Sequence, residues 1–186
     1  MIVIMAERYT PALVLSREDK NDQDILFTLY TKDLGKIRAI AKSARKITSK
    51  LTGHLTQGKV VNVRVIDKGS FQLLDSLSSG KRCADREVLK LLHFLDNMMP
   101  YNQPDLHVWH IAKEVIGRCQ IEPIVYGELL RVMGFASSSA SAFPACAKCK
   151  GERSPTTLFY IPDLVFLCSN CGADVRIDEN DLVRTA

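Results

Sequence analysis

Two groups of residues have the types and spacing to do chemistry. Cys146 and Cys149 make one Cys-x-x-Cys knuckle, Cys168 and Cys171 make a second, and eighteen residues separate them. Thiolates are soft ligands, and paired knuckles at this separation match a four-cysteine zinc site. Four thiolates fill a tetrahedral Zn2+ and leave no position for water or substrate, so the expected role is structural. Gly151 and Gly172 follow the knuckles. A residue without Cβ there is expected to let the backbone turn and aim its amides at the sulfurs.

The second group is cationic. Residues 35–50 read GKIRAIAKSARKITSK, with Lys36, Arg38, Lys42, Arg45, Lys46 and Lys50 and no acid. The acid-free interval runs over 34–66 and holds eight cations, so no ion pair within it can neutralise them and an external polyanion is the expected partner. Such a track follows a phosphate backbone without reading bases. Residues 1–78 carry thirteen Lys and Arg against eight Asp and Glu, and the remainder twelve against thirteen. The positive excess is therefore N-terminal. Tyr30 and Phe27 precede the track and are candidate rings for base stacking, Tyr30 the better of the two, with burial in the core as the competing role.

Little else suggests catalysis. No His-x-Glu accompanies the knuckles, Pro144 does not abut Cys146, and no phosphate loop, Gly-x-Ser-x-Gly or His-Glu-x-x-His is present. Cys83 and Cys119 read as core residues or free thiols. His107 and His110 could share a helix face but lack a carboxylate partner, and His54 and His93 carry no pattern. The expectation is a protein that is not an enzyme. At 186 residues, with 46% hydrophobic and 25% charged, the composition is that of an ordinary globular chain. Glu7 and Arg8 cut short the apolar opening MIVIM, and no apolar run could span a bilayer. Knuckles without a secretion signal favour metal in a reducing compartment. A cytoplasmic protein with no membrane partner is expected.

The elements that must position these groups follow from periodicity. Residues 9–16, 24–31, 36–42, 60–66 and 71–75 read as short strands rich in β-branched and aromatic residues. Five such strands suggest a small closed barrel, which leaves no edges open. The period then becomes helical over 85–99 and 106–119, with an entry turn at 102–105. Pro123 opens a third helix that Gly134 ends. Residues 137–141, SSSAS, read as a flexible linker. TLFYIPDLVFL, between the knuckles, reads as two strands broken at Pro162 and Asp163, which makes a zinc ribbon. The expected fold class is α+β and multidomain: a barrel over 1–80, a small helical domain over 81–143, the four-cysteine ribbon over 144–178 and a tail over 179–186.

The run DILFTLYTKDLGKIRAIAKSARKITSKLTGHL, over 24–55, resembles the N-terminal barrel of the RecO family of bacterial recombination mediators. RVMGF, over 131–135, followed by a Cys-x-x-Cys is similar to the same family, whose zinc ribbon follows a helix ending in Gly-Phe. The resemblance implies an oligonucleotide-binding (OB) fold, binding of single- and double-stranded DNA, and annealing of complementary strands. It further implies joint action with RecR and contact with the single-stranded-DNA-binding protein, so that RecA is loaded indirectly, in a bacterial, nucleoid-associated setting. It puts the DNA contacts on Lys36, Arg38, Lys42, Arg45, Lys46 and Lys50 and carries no catalytic residue. Two departures stand out. The family has Gly where Ser43 stands, and its chains continue with further helices where this one stops fifteen residues past Cys171. Two other readings compete: a protein-interaction adaptor in a transcription or translation assembly, and a zinc-dependent enzyme acting on nucleic acids.

Overall fold

Strand β1 spans Glu7–Asp19 and serves two neighbours. Its first half pairs with β4 (Val60–Asp67), from Glu7↔Ile66 to Leu13↔Val60, and its second half pairs with β2 (Ile25–Thr31), from Ala12↔Thr31 to Asp19↔Ile25. A register shift between Val14 and Ser16 bends the strand between these tasks. β2 pairs with β3 (Gly35–Ala41), and β4 with β5 (Phe71–Ser78), both antiparallel. The ring closes where β3 meets β5 in parallel at Ala39↔Phe71 and Ile40↔Gln72. The resulting order, β1-β2-β3-β5-β4, is that of an OB-type barrel. The computed structural model describes residues 7–46, 51–78, 83, 85–137, 143–151, 156–174 and 178–185.

Alternation along the strands fills the barrel. Val14, Ile25, Phe27, Leu29, Ile37, Ala39, Val61, Val63 and Val65 all point inward and are buried. A short helix α1 (Leu51–His54) links β3 to β4. Two longer helices join the barrel in one compact unit, residues 1–120. α2 (Arg86–Met98) starts at Asp85, whose carboxylate accepts the Val88 amide, and buries Val88, Leu91, Leu92, Phe94 and Leu95. α3 (Leu106–Arg118) starts at Asp105, which accepts the amides of His107 and Val108, and buries Val108, Trp109, Ala112 and Ile116. Cys119 caps α3 in the left-handed region, with φ 55°. Cys83 and Cys119 were expected as core residues or free thiols. Cys83 is buried in the core, and the structure joins it to Cys119 in a disulfide, so neither is a free thiol, with Cα atoms 5.5 Å apart. They lie 36 residues apart in the chain, so only the return path of the two helices brings them together.

The second unit covers residues 121–186. α4 (Pro123–Val132) has Pro123 in its first turn, and Gly134 follows it with φ +84°. β6 (Thr156–Tyr160) and β7 (Val165–Cys168) form a hairpin through Tyr160↔Val165, as the insert between the knuckles implied. A short helix α5 (Ser169–Ala173) holds the second knuckle. β8 (Leu182–Arg184) pairs with the outer side of β6, at Phe159↔Val183. Phe159 is fully buried, and its ring meets Phe135 at 5.4 Å and Phe166 at 5.0 Å. The expected linker over 137–141 lies, apart from Ser137, outside the described residues. Among the described residues, no helix is long and apolar enough to cross a membrane.

Candidate functional site

The cationic track does not stay together. Arg38, on the outer face of β3, is exposed, as are Lys42, Arg45 and Lys46 in the turn that follows. Lys50 lies outside the described residues. Lys36 leaves the track: it is 5% exposed, its ammonium donates to the Asp96 carbonyl, and the Asp96 carboxylate is 3.5 Å away. Its charge also lies 4.3 Å from the centre of the Tyr101 ring. Alternation explains why sequence missed this. Lys36 and Arg38 share a strand face, but the linker between α2 and α3 covers the start of β3 and turns an exposed position into a buried one.

Nor are Arg38 and Arg45 without local partners. Arg38 meets Glu18 at 3.1 Å, and Arg45 meets Asp19 at 3.5 Å. The interval 34–66 is acid-free along the chain, but strand pairing carries the end of β1 beside β3 through β2, and the acids come from there. Both pairs are exposed, a setting in which an ion pair contributes about 0–1 kcal/mol and is readily exchanged.

The loop carrying the cations is held by the β1–β2 turn. Asp24 accepts the Ser43 amide at 2.8 Å, and Arg45 donates its amide to the Gln23 carbonyl at 3.1 Å. The Ser43 amide, followed by the Asn21 side chain, holds the Asp24 carboxyl below its ordinary range. Ser43 itself has φ 54°, in the left-handed region that favours glycine.

Tyr30 is not a stacking surface. It is fully buried, donates its hydroxyl to the Asp105 carbonyl at 3.1 Å and packs 6.1 Å from Trp109. Burial, then the nearby Asp105 charge, pushes its phenol well up. Phe27 is buried inside the barrel. The exposed ring beside Arg38 is Tyr101, which no strand or helix period singled out. Tyr101, Arg38, Phe71 and Pro104 line a groove of about 540 Å³.

The four knuckle cysteines converge. Their sulfurs lie within 4.8 Å of one another, and Cys149 and Cys168 approach to 3.7 Å. A tetrahedron with Zn–S of about 2.3 Å has edges of about 3.8 Å, so the cage fits such an ion. Cys146, Cys168 and Cys171 are buried and Cys149 is half-buried. Burial pushes the Cys146 thiol up, but amides of Cys149, Cys168 and Lys148 aimed at its sulfur bring it down to about 6. Burial and then hydrogen bonds with the other three thiols push Cys171 up to about 12. One thiolate thus makes the next harder to form, and a bound dication removes that conflict. Gly151 has φ +91°, in keeping with a turn. Gly172 serves otherwise: it lies in α5, where a Cβ would strike the Leu158 side chain, so it permits close packing of helix on strand. His107 and His110 are exposed on α3, apart from this cluster in sequence and outside its ligand set.

Residues 5–81 match the family described as Recombination protein O N terminal. The chain is 27% identical over 191 residues to a DNA repair protein RecO of Koribacter versatilis, a match covering 94% of this chain and 75% of that one. A DNA repair protein RecO of Shouchella clausii is 25% identical over 174 residues, covering 86% and 67% of the two chains. One from Rhodopirellula baltica is 39% identical over 70 residues, which span 38% of this chain and 26% of that one.

Proposed function

We propose that the chain, similar over residues 5–81 to the RecO N-terminal family and over most of its length to RecO proteins, works in DNA repair by recombination, as a DNA-binding mediator and not as an enzyme. The observation that carries this reading is a closed OB-type barrel whose β3 and following turn expose Arg38, Lys42, Arg45 and Lys46. These cations bind phosphates of single- or double-stranded DNA, displacing the weak ion pairs with Glu18 and Asp19. By neutralising two strands at once, the surface lowers the barrier to their annealing. RecR and the single-stranded-DNA-binding protein are its partners in this reading, and RecA is loaded downstream.

The four cysteines hold one structural Zn2+ in this proposal. Cys146, Cys149, Cys168 and Cys171 supply four thiolates, and the ion supplies a crosslink between the knuckles with no open coordination position. The convergence of their sulfurs supports this.

The test is the salt dependence of single-stranded DNA binding. Four phosphate contacts, each contributing about 0.7, give a slope of log K against log salt near −3. Replacing Arg45 and Lys46 by Ala flattens the slope by about 1.4, for all base sequences alike. Lys148→Ala with Arg153→Ala, in the ribbon, changes it little. Should the ribbon variant lose the slope and the barrel variant keep it, the DNA track lies on the ribbon. Salt-insensitive binding, or none, would instead favour a protein-interaction adaptor.

A further inference from the structure

The linker between α2 and α3 is built into the barrel wall. Asn102 donates its amide to the Lys36 carbonyl at 2.9 Å, and Tyr101 bridges Lys36 as a parallel partner. Gly35, with φ +69°, has no Cβ because one would collide with the Gln103 backbone. Lys36, pinned by Asp96, covers one side of the Tyr101 ring, yet Tyr101 remains 47% exposed. A large ring held this firmly at the surface costs little further ordering when a ligand meets it.

The adjoining groove follows from a gap in the sheet. β3 is bridged to Tyr101 at Lys36 and to β5 at Ala39 and Ile40. Between these points, among the described residues, Ile37 and Arg38 have no strand partner on that side. The groove of about 540 Å³ opens there, with Tyr101 and Phe71 as apolar lining, Arg38 as its cation, and Asp33 and Asp67 among its lining residues.

We infer that this groove seats one unstacked nucleobase of a single strand, its face against Tyr101 and its adjoining phosphate on Arg38. The inference rests on the reading of the barrel as a DNA-binding surface. A ring beside an exposed guanidinium matches the two parts of a nucleotide, because every base offers a π-face and every nucleotide a phosphate. The two carboxylates oppose a second phosphate or an acidic peptide, and can accept hydrogen bonds from exocyclic amines. Lys36 is then a positioning residue behind the ring, with no phosphate of its own.

The test compares a short oligothymidylate with an abasic strand of equal length, and so of equal charge, bound to the full chain. Tyr101→Ala weakens oligothymidylate binding about tenfold, the scale of one base stacked on one ring, and leaves abasic-strand binding and the salt slope unchanged. Tyr101→Phe retains the affinity. Tyr101→Trp binds as tightly, and its fluorescence is quenched by oligothymidylate and not by the abasic strand, over a constant background from buried Trp109. An equal loss on both strands, or no loss, assigns the groove to another occupant and overturns the inference alone. Failure of the unaltered chain to bind either strand in a salt-dependent way overturns the DNA reading beneath it, and the groove with it.

Discussion

At the scale of single residues, Arg38 and Lys36 show how one strand face yields two kinds of cation. Arg38 is half exposed and shares its charge with Glu18 at 3.1 Å, with both side chains wet. Lys36, two residues earlier, is enclosed by Asp96 and Tyr101. An exposed pair such as Arg38–Glu18 contributes little to folding, but it matters for a polyanion, because the carboxylate remains beside the phosphate that displaces it. Glu18→Gln should therefore leave thermal stability within about 0.5 kcal/mol and tighten single-stranded DNA binding two- to fivefold at low salt. The gain should fade as salt rises, since screening weakens the repulsion that the substitution removes. Titration of the variant against the unaltered chain at two ionic strengths measures this, and weaker binding by Glu18→Gln would mean that Arg38 faces away from DNA.

At the scale of elements, the β1–β2 turn acts as a clasp on the basic loop after β3. Asp24 takes the Ser43 amide at 2.8 Å while Gln23 takes the Arg45 amide at 3.1 Å. Because the folded Asp24 carboxyl lies below its ordinary 3.8, the clasp contributes fully above that value. It is lost as pH falls through the lower, folded one. Asp24→Ala should accordingly speed amide exchange at Ser43 and Arg45 at neutral pH, while leaving Phe27 and Leu29 of β2 protected; unchanged exchange at Ser43 would show that the clasp holds nothing. Ser43→Gly should relieve its left-handed backbone and stabilise the chain by up to about 1 kcal/mol, read from the melting temperature.

These elements were largely legible in sequence. The barrel strands, the hairpin between the knuckles and α2 to α4 all fall where alternation, caps, Pro123 and Gly134 put them, because each carries its own local signal. Two short pieces, α1 with four residues and β8 with three, span too little chain to show a period. What sequence could not give was adjacency across elements. The acids that reach the basic loop arrive through pairing of β1 with β2, and Tyr30 is sealed by Trp109 of α3 and by Asp105, 75 residues on, at the start of that helix. Tyr101 emerges only because the linker beside it is anchored to β3.

At the scale of the whole molecule, the chain divides into two compact units that rely on different means of cohesion. Residues 1–120 have a barrel core of more than a dozen buried side chains and need no metal to explain their folding. In residues 121–186 the three-stranded sheet leans on Leu158 and Leu167 packed against three buried cysteines, a core that includes the ligand set itself. On the proposal that these cysteines hold zinc, a core of that kind loses packing as well as crosslinks when the ion is removed. Chelation, or Cys168→Ser, should therefore release one equivalent of zinc and remove amide protection from β6, β7 and β8. The amides of β2 and β3 should keep theirs, because their partners are other barrel strands. The two measurements are metal content by elemental analysis and hydrogen exchange resolved by segment. Full zinc occupancy in Cys168→Ser would overturn the ligand assignment, and protection retained throughout the ribbon after chelation would show that its fold does not depend on the ion.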